Sequence, residues 1–180
     1  MTRHEGSLAR ATAESAEVRY ATDDIVLVDA ADVARLNEAA AQNPRRRIRL
    51  CAHLGVDDRL HEMIIVHTKG TYVRPHKHVG KSESFHVIDG EADVVVFDDD
   101  GGVREVIAMG AFASGRPFFY RIAAPLYHTL LIRSDVLVFH ETTGGPFRRA
   151  DTVFAPWAPE DHDAPQVRRF LADLEARLPA

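Results

Sequence analysis

The sequence predicts a mainly β single domain, a closed barrel or two-sheet sandwich with a helix at each end. Three observations predict it. Between residues 47 and 141 the chain reads as eight or nine short runs of β-branched and aromatic residues, each stopped by glycine, proline or aspartate. Helical periodicity falls outside that span, around residues 30–42 and 165–178. The length of 180 residues, with 46% hydrophobic and 27% charged side chains, suits one soluble domain with a sizeable core. Even strand spacing favours a closed or two-sheet arrangement, because that leaves few strand edges unpaired.

Residues 1–20 mix charged and small side chains and are expected to dock weakly or fray. Residues 25–28 form a short apolar strand candidate ending at Asp29. Asp29 or Asp32 then caps a helix to Gln42, with Val33, Leu36 and Ala40 on one face. Asn43 and Pro44 stop it. The arginines at 45, 46, 47 and 49 are read as a solvated lip between helix and barrel, with an anion-binding patch as the sharper alternative. Strands are then expected at 47–54, 63–66, 72–74, 85–88 and 94–97. A hairpin turn at 98–102 follows, then strands at 103–107, 118–122, 127–132 and 136–139. Beyond Gly145 and Pro146 the chain is irregular, and Phe147, Phe154 and Trp157 are expected to bury it as a strap across the barrel. Pro165 can open a last helix whose Val167, Phe170, Leu171, Leu174 and Leu178 share a stripe packed on the sheet. The organisation is therefore an N-terminal extension and helix at 1–45, a barrel at 46–145, and a strap with a helix at 146–180.

Composition excludes several partners. A formal net charge of −5 gives no electrostatic reason to expect nucleic acid or an anionic membrane. The single cysteine, Cys51, rules out an internal disulfide framework and fits a reducing compartment. With no apolar run of leader type near the start and no stretch of transmembrane length, a cytoplasmic location is expected. A phosphate-binding glycine loop, a nucleophile elbow and a Cys-x-x-Cys pair are all missing from the sequence.

Chemistry concentrates between Gly70 and Gly90. His76 and His78 are two apart, so in an extended segment both imidazoles leave one face ~6.6 Å apart along the strand. That separation suits two nitrogens converging on one ion at ~2.0–2.1 Å. If the chain reverses at Gly80, Glu83 can bring a carboxylate to the same ion.

The spacing Gly70-x5-His76-x-His78-x4-Glu83-x6-Gly90 resembles the first cupin motif. The resemblance implies a cupin β-barrel (double-stranded β-helix or jelly roll) that holds one divalent metal with three histidines and a glutamate. It also implies a fourth ligand in a second motif, and His128 in Ala123-x-Pro125-x-x-His128 fits that position. The second motif departs from the usual pattern, with Pro125 where the family has glycine and Ile132 where asparagine often follows. A longer resemblance runs over roughly residues 30–160. Arg49-Leu-Cys51-Ala-His53, Glu62-Met-Ile-Ile, Tyr72-Val-Arg-Pro-His-Lys-His, Lys81-Ser-Glu-Ser-Phe-His, Phe97-Asp, Tyr120-Arg and His140-Glu-Thr-Thr-Gly-Gly-Pro-Phe are similar to WbuC-type cupin fold metalloproteins. Members of that family are found near bacterial surface-polysaccharide genes, and the resemblance implies a homodimer.

The expected metal ligands are thus His76, His78, Glu83 and His128, a set open to Fe, Mn, Ni, Co or Zn. Tyr72 and Arg74 alternate with the two histidines and are candidates to contact substrate, with Arg121, Tyr127 and Glu141. If these chains point inward, their guanidinium groups should draw small carboxylates or phosphates beside the ion. His86 has the opposite parity to Glu83 and is expected outside. His53, His61, His67 and His140 are read as surface or core residues, with His53 and His140 as reserve ligands. Two functions remain open. One is a metal-dependent enzyme on a small polar, possibly sugar-derived substrate, of oxygenase or isomerase/epimerase type. The other is a non-catalytic protein that binds a small molecule through its metal.

Overall fold

A computed structural model describes residues 6–178, so residues 1–5 of the expected N-terminal extension and residues 179–180 at the other end lie outside the described residues. The elements in order are β1 (Thr12–Ala13), β2 (Val18–Tyr20), α1 (Ala30–Gln42), β3 (Arg47–Cys51), β4 (Leu60–Thr68), β5 (His76–His78) and β6 (Glu83–Asp89). They continue with β7 (Glu91–Phe97), β8 (Val103–Gly110), β9 (Phe119–Ile122), β10 (Tyr127–Ile132), β11 (Val136–Gly144), β12 (Thr152–Phe154) and α2 (Ala164–Arg177).

The strands form two sheets, one ordered β1-β2-β3-β4-β11-β6-β9 and the other β12-β5-β10-β7-β8. Strand pairs are nested: β7 pairs β8, β6 pairs β9, β5 pairs β10 and β4 pairs β11, all antiparallel. A chain paired in this way is one long hairpin rolled into a barrel, with successive strands passing from sheet to sheet. This is the cupin-type jelly roll. β1 to β3 widen one sheet beyond β4, and β12 widens the other beyond β5.

Local chemistry sets the turns. Gly101 takes a φ of +90° at the tip of the β7–β8 hairpin, where Asp98 N–H donates to the Gly102 carbonyl. Gly90 (φ +86°) passes so close to β11 that a Cβ there would lie 2.2 Å from the Val136 carbonyl oxygen. Met63, Ile65, Phe85, Val94, Leu130 and Phe139 pack between the sheets. α1 covers the outer face of the first sheet, with Leu36 and Ala40 on Ile48, Leu50, Val66 and Val138. Both aspartates considered for its cap take part: Asp29 accepts from Asp32 N–H and Asp32 reaches back to Asp29 N–H. α2 covers the outer face of the second sheet, setting Leu174, Phe170 and Leu171 against Val95, Phe97, Tyr127 and Leu131. Trp157 lies between, 4.9 Å from the Phe97 ring and 6.2 Å from that of Phe170. Among the described residues no helix is long and apolar enough to cross a membrane.

Three expectations are corrected. Residues 25–28 are not a strand, because the edge of β3 is filled by β2, which pairs with it in parallel. The segment is held instead through Ser7, whose N–H donates to the Leu27 carbonyl. Residues 72–74 are not a strand either, since Pro75 offers no N–H and the ladder begins only at His76. Of the strap's aromatics Trp157 packs well, but Phe147 and Phe154 stay 54% and 41% exposed. The strap is fixed instead by backbone pairing, Thr152 to Phe154 lying along His78 to His76. The basic lip is largely paired: Arg45 meets Glu17 and Asp161, and Arg47 meets Glu17.

Candidate metal centre

His76 and His78 project from the same face of β5, and β10 sets His128 directly opposite His76. Gly80 (φ +76°) turns the chain from one sheet to the other, so Glu83 opens β6 facing the three imidazoles. One ligand atom from each of these four residues lies within 4.8 Å of the others. His78 Nε2 is 2.9 Å from Glu83 Oε2, and His128 Nε2 is 3.5 Å from Glu83 Oε1.

The surrounding backbone fixes which nitrogen points inward. His76 Nδ1–H donates to the Arg74 carbonyl at 2.9 Å, and His128 Nδ1–H to the Leu126 carbonyl at 3.0 Å. A carbonyl only accepts, so in both rings Nδ1 keeps its proton and Nε2 faces the cluster, available to an ion once any proton it shares with Glu83 is released. His78 Nδ1 has a looser neighbour, Thr152 Oγ1 of the strap at 3.4 Å. The Tyr120 hydroxyl donates to Glu83 Oε1 at 2.9 Å.

The electrostatics suit a cation. Burial, with His128 alongside, pushes His76 down to about 4, so it is neutral at pH 7. Burial opposes ionisation of Glu83, yet bonds from His128 and His78 hold its carboxyl well below the usual range. Burial would lower His128, but the Glu83 carboxylate outweighs it and raises the imidazole. Burial, and then Glu83, drive the Tyr120 phenol well above its ordinary value, so it remains a donor. A buried carboxylate whose balancing charge comes from imidazoles is the arrangement a divalent ion would complete. The four residues could hold one, with Nε2 atoms and a carboxylate as donors.

The proposed substrate-contacting residues divide. Glu141 on β11 lies directly across from Met63 on β4 and Phe85 on β6, both core residues, so its side chain points between the sheets. Burial, and then the charge of Glu83, push it up to about 8. The other four candidates face elsewhere. The Tyr72 hydroxyl donates to the Pro159 carbonyl at 3.0 Å, and its ring meets Phe170. Arg74 pairs with Glu160 at 2.5 Å, its guanidinium 4.7 Å above the Phe154 ring. Both look toward strap and α2, because the alternation that would align them with His76 ends at Pro75. Arg121 lies on the exposed parity of β9 and donates to Ser82 Oγ at 3.0 Å. Tyr127 precedes His128 and takes the opposite face, under α2 with Trp157.

Sequence reasoning missed Tyr120 as a site residue. The signal was there, since an arginine at 121 favours the outer face and turns Tyr120 and Ile122 inward. Among the remaining histidines, His53 and His61 stack on each other at 4.1 Å outside the four-residue group, and His53 Nδ1 is 3.1 Å from the Glu62 carbonyl. His86 and His140 pair across the outer face. His67 is buried further along β4.

A family model described only as a domain of unknown function (DUF6016) matches residues 28–109, a span that carries His76, His78 and Glu83 and stops before His128. No curated protein matches the sequence. Solved structures show partial similarity at low identity. An oxalate decarboxylase of Lactobacillus farciminis in complex with formate is 19% identical with a TM-score of 0.43, over 54% of this chain and 27% of that one. CapF, a capsular polysaccharide assembling protein of Staphylococcus aureus, is 20% identical with a TM-score of 0.45, over 54% and 27%. A protein of Shewanella oneidensis is 10% identical with a TM-score of 0.46, over 57% and 66%. The match thus spans about a quarter of the decarboxylase and CapF chains. The nested jelly-roll strand order, with three histidines and a glutamate on its inner wall, supports the cupin superfamily.

Proposed function

We propose that this chain is a WbuC-type cupin metalloprotein that holds one divalent ion at His76, His78, Glu83 and His128 and acts as an enzyme on a small polar, sugar-derived substrate. The observation that carries the metal is the convergence of four donor atoms within 4.8 Å, two of the imidazoles locked by backbone carbonyls with Nε2 inward. A bound Fe, Mn, Ni, Co or Zn ion would supply Lewis-acid polarisation at coordination positions that four protein donors leave open. The chain's own residues do the rest. The Arg74 and Leu126 carbonyls orient their imidazoles, Tyr120 fixes one Glu83 oxygen, and the apolar walls at Phe85 and Phe139 limit access of water. The WbuC-type assignment rests on the motifs at 49–53, 72–78, 81–86 and 140–147, and its substrate class on the company that family keeps.

Elemental analysis of protein purified without affinity nickel tests the reading. One equivalent of a divalent metal is expected in the wild type, falling strongly in His76→Ala, His78→Ala, Glu83→Ala and His128→Ala. Full occupancy in His128→Ala would remove that residue from the site. A small ligand retained by the metal-loaded protein without any turnover would make the chain a binder and not an enzyme.

A further inference from the structure

We infer that the Glu141 carboxyl is a ligand-contacting group of the barrel pocket, taking a hydroxyl of a neutral, polyhydroxylated small molecule whose other end meets the histidine–glutamate group. The inference rests on the metal-site reading above and names the kind of ligand that site would take.

The first observation is a missing partner. Among the described residues the Glu141 carboxyl makes no hydrogen bond and no ion pair, although it points between the sheets from the middle of β11. Two polar groups on adjoining strand positions are committed elsewhere. The Tyr120 hydroxyl, on the strand beyond Phe85, donates to Glu83, and the Thr143 hydroxyl donates to the Ser82 carbonyl. An inward-facing carboxyl that no protein group engages is left free to bond something that enters the barrel.

The second observation is where that carboxyl has room. Glu141 sits inside the barrel but is only half-buried, unlike its neighbours Met63 and Phe85, which are 5% and 1% exposed. Accessible surface on an inward-facing side chain marks the wall of an internal space. His76 and Tyr120 are half-buried in the same way, so the metal group and Glu141 border that space together. Register gives the separation. Thr143 lies opposite Glu83, and Glu141 is two residues further along β11, about 7 Å deeper into the barrel. A short polyol chain spans that distance; a single hydroxyl or a compact anion does not.

The third observation is the charge on the wall. The cations around the mouth are engaged: Arg74 with Glu160, Lys77 with Asp99, Lys81 with Asp151, and Arg121 with Ser82 on the outer face. Arg49, on β3 two strands from β11, acts on Glu141 through its charge but forms no ion pair with it. Glu83 and Glu141 therefore border the space with no guanidinium paired to either among the described residues. With its pKa up at about 8 the Glu141 carboxyl is largely protonated at pH 7, so it can both donate to and accept from a ligand hydroxyl and needs no charge on the ligand.

The test uses full-length protein loaded with cobalt(II), whose visible spectrum reports the coordination shell, with xylitol as the polyol probe and acetate as the anion probe. Wild type, Glu141→Gln and Glu141→Met are compared for cobalt stoichiometry, melting temperature of the metal-free form, and spectral titration. All three are expected to bind one cobalt. Glu141→Met should melt about 2–4 °C higher, because the carboxyl serves the ligand at the expense of stability. Xylitol should shift the wild-type spectrum at a concentration at least tenfold lower than it needs in Glu141→Met, while acetate acts equally on both. Glu141→Gln keeps an acceptor and should fall nearer the wild type. A xylitol response that is absent from wild type or unchanged in Glu141→Met overturns the inference, and so does a lower melting temperature in Glu141→Met, which would make the carboxyl structural. Failure of the wild type to take up cobalt would overturn the metal reading itself, and the stoichiometry shows that separately.

Discussion

Replacing His67 with leucine should stabilise the protein, and by more in acid than at neutral pH. His67 is 6% exposed on β4, opposite Leu137 and Arg47, its ring edge-on to Phe139 at 5.2 Å. Its Nδ1 is buried without a hydrogen-bond partner. Burial first, and then the Arg47 and Arg45 charges, push its pKa down to about 3. At pH 7.5 only the orphaned nitrogen counts, and removing it should return about 1–3 kcal/mol. In acid a second effect is added. The unfolded chain takes up a proton near pH 6.5 and the folded one does not until about 3, so stability is lost as pH falls below 6.5. At pH 5 the unfolded state gains about 2 kcal/mol by this route, a figure insensitive to the folded value as long as that stays well below 5. Urea denaturation of both proteins in chelator, at pH 7.5 and pH 5, measures it. His76 and the other titrating groups are common to both and cancel in the difference. The gap between variant and wild type should widen by about 2 kcal/mol between the two pH values. A gap that stays constant would mean that His67 is protonated in the folded protein or reached by water, and the reasoning would fail.

Tyr120→Phe removes the donor to Glu83 Oε1 while keeping the ring stacked on Phe85, so metal affinity measured by chelator competition should fall about 10–100-fold with little change in melting. Unchanged affinity would show that Glu83 is positioned without the phenol. Ending the chain at Asp163 removes α2, whose Leu174 and Val167 are 0% and 9% exposed. Each such side chain contributes about 1.5–3 kcal/mol before the entropy regained by the freed segment, so a clear loss of melting temperature is expected, with Trp157 fluorescence shifted by exposure. An unaltered melt would show that α2 adds nothing to the fold.

The convergence of three of the four candidate ligands was legible because their constraint is local. His76, His78 and Glu83 fall within one strand–turn–strand unit, where period-two alternation and one glycine turn determine what converges. α1 was legible for a similar reason, its cap being a contact between residues three apart. Among the strands that escaped notice are β2 and β12, of three residues each. Neither carries an alternating pattern, because both are held by the backbone edge they complete. No side-chain period records the need of a neighbouring strand for hydrogen bonds.

Two residues of the expected pocket wall were misjudged by a rule applied across a break. Alternation from His76 backwards assigns Tyr72 and Arg74 to the pocket only if the strand continues through Pro75, and it does not. Alternation from His128 backwards sends Tyr127 to the other face, where α2 covers it. The two errors lean the same way, since each added a polar group to the site and two of the four misplaced candidates are arginines. With Arg74 and Arg121 removed from the wall, the expectation that anions gather beside the ion loses the groups it depended on. What remains inward is a phenol bound to Glu83 and a carboxyl with no hydrogen-bond partner. A pocket of that composition offers hydrogen-bonding groups in place of the guanidinium charges of Arg74 and Arg121, so placing four side chains correctly changes the class of ligand to be sought.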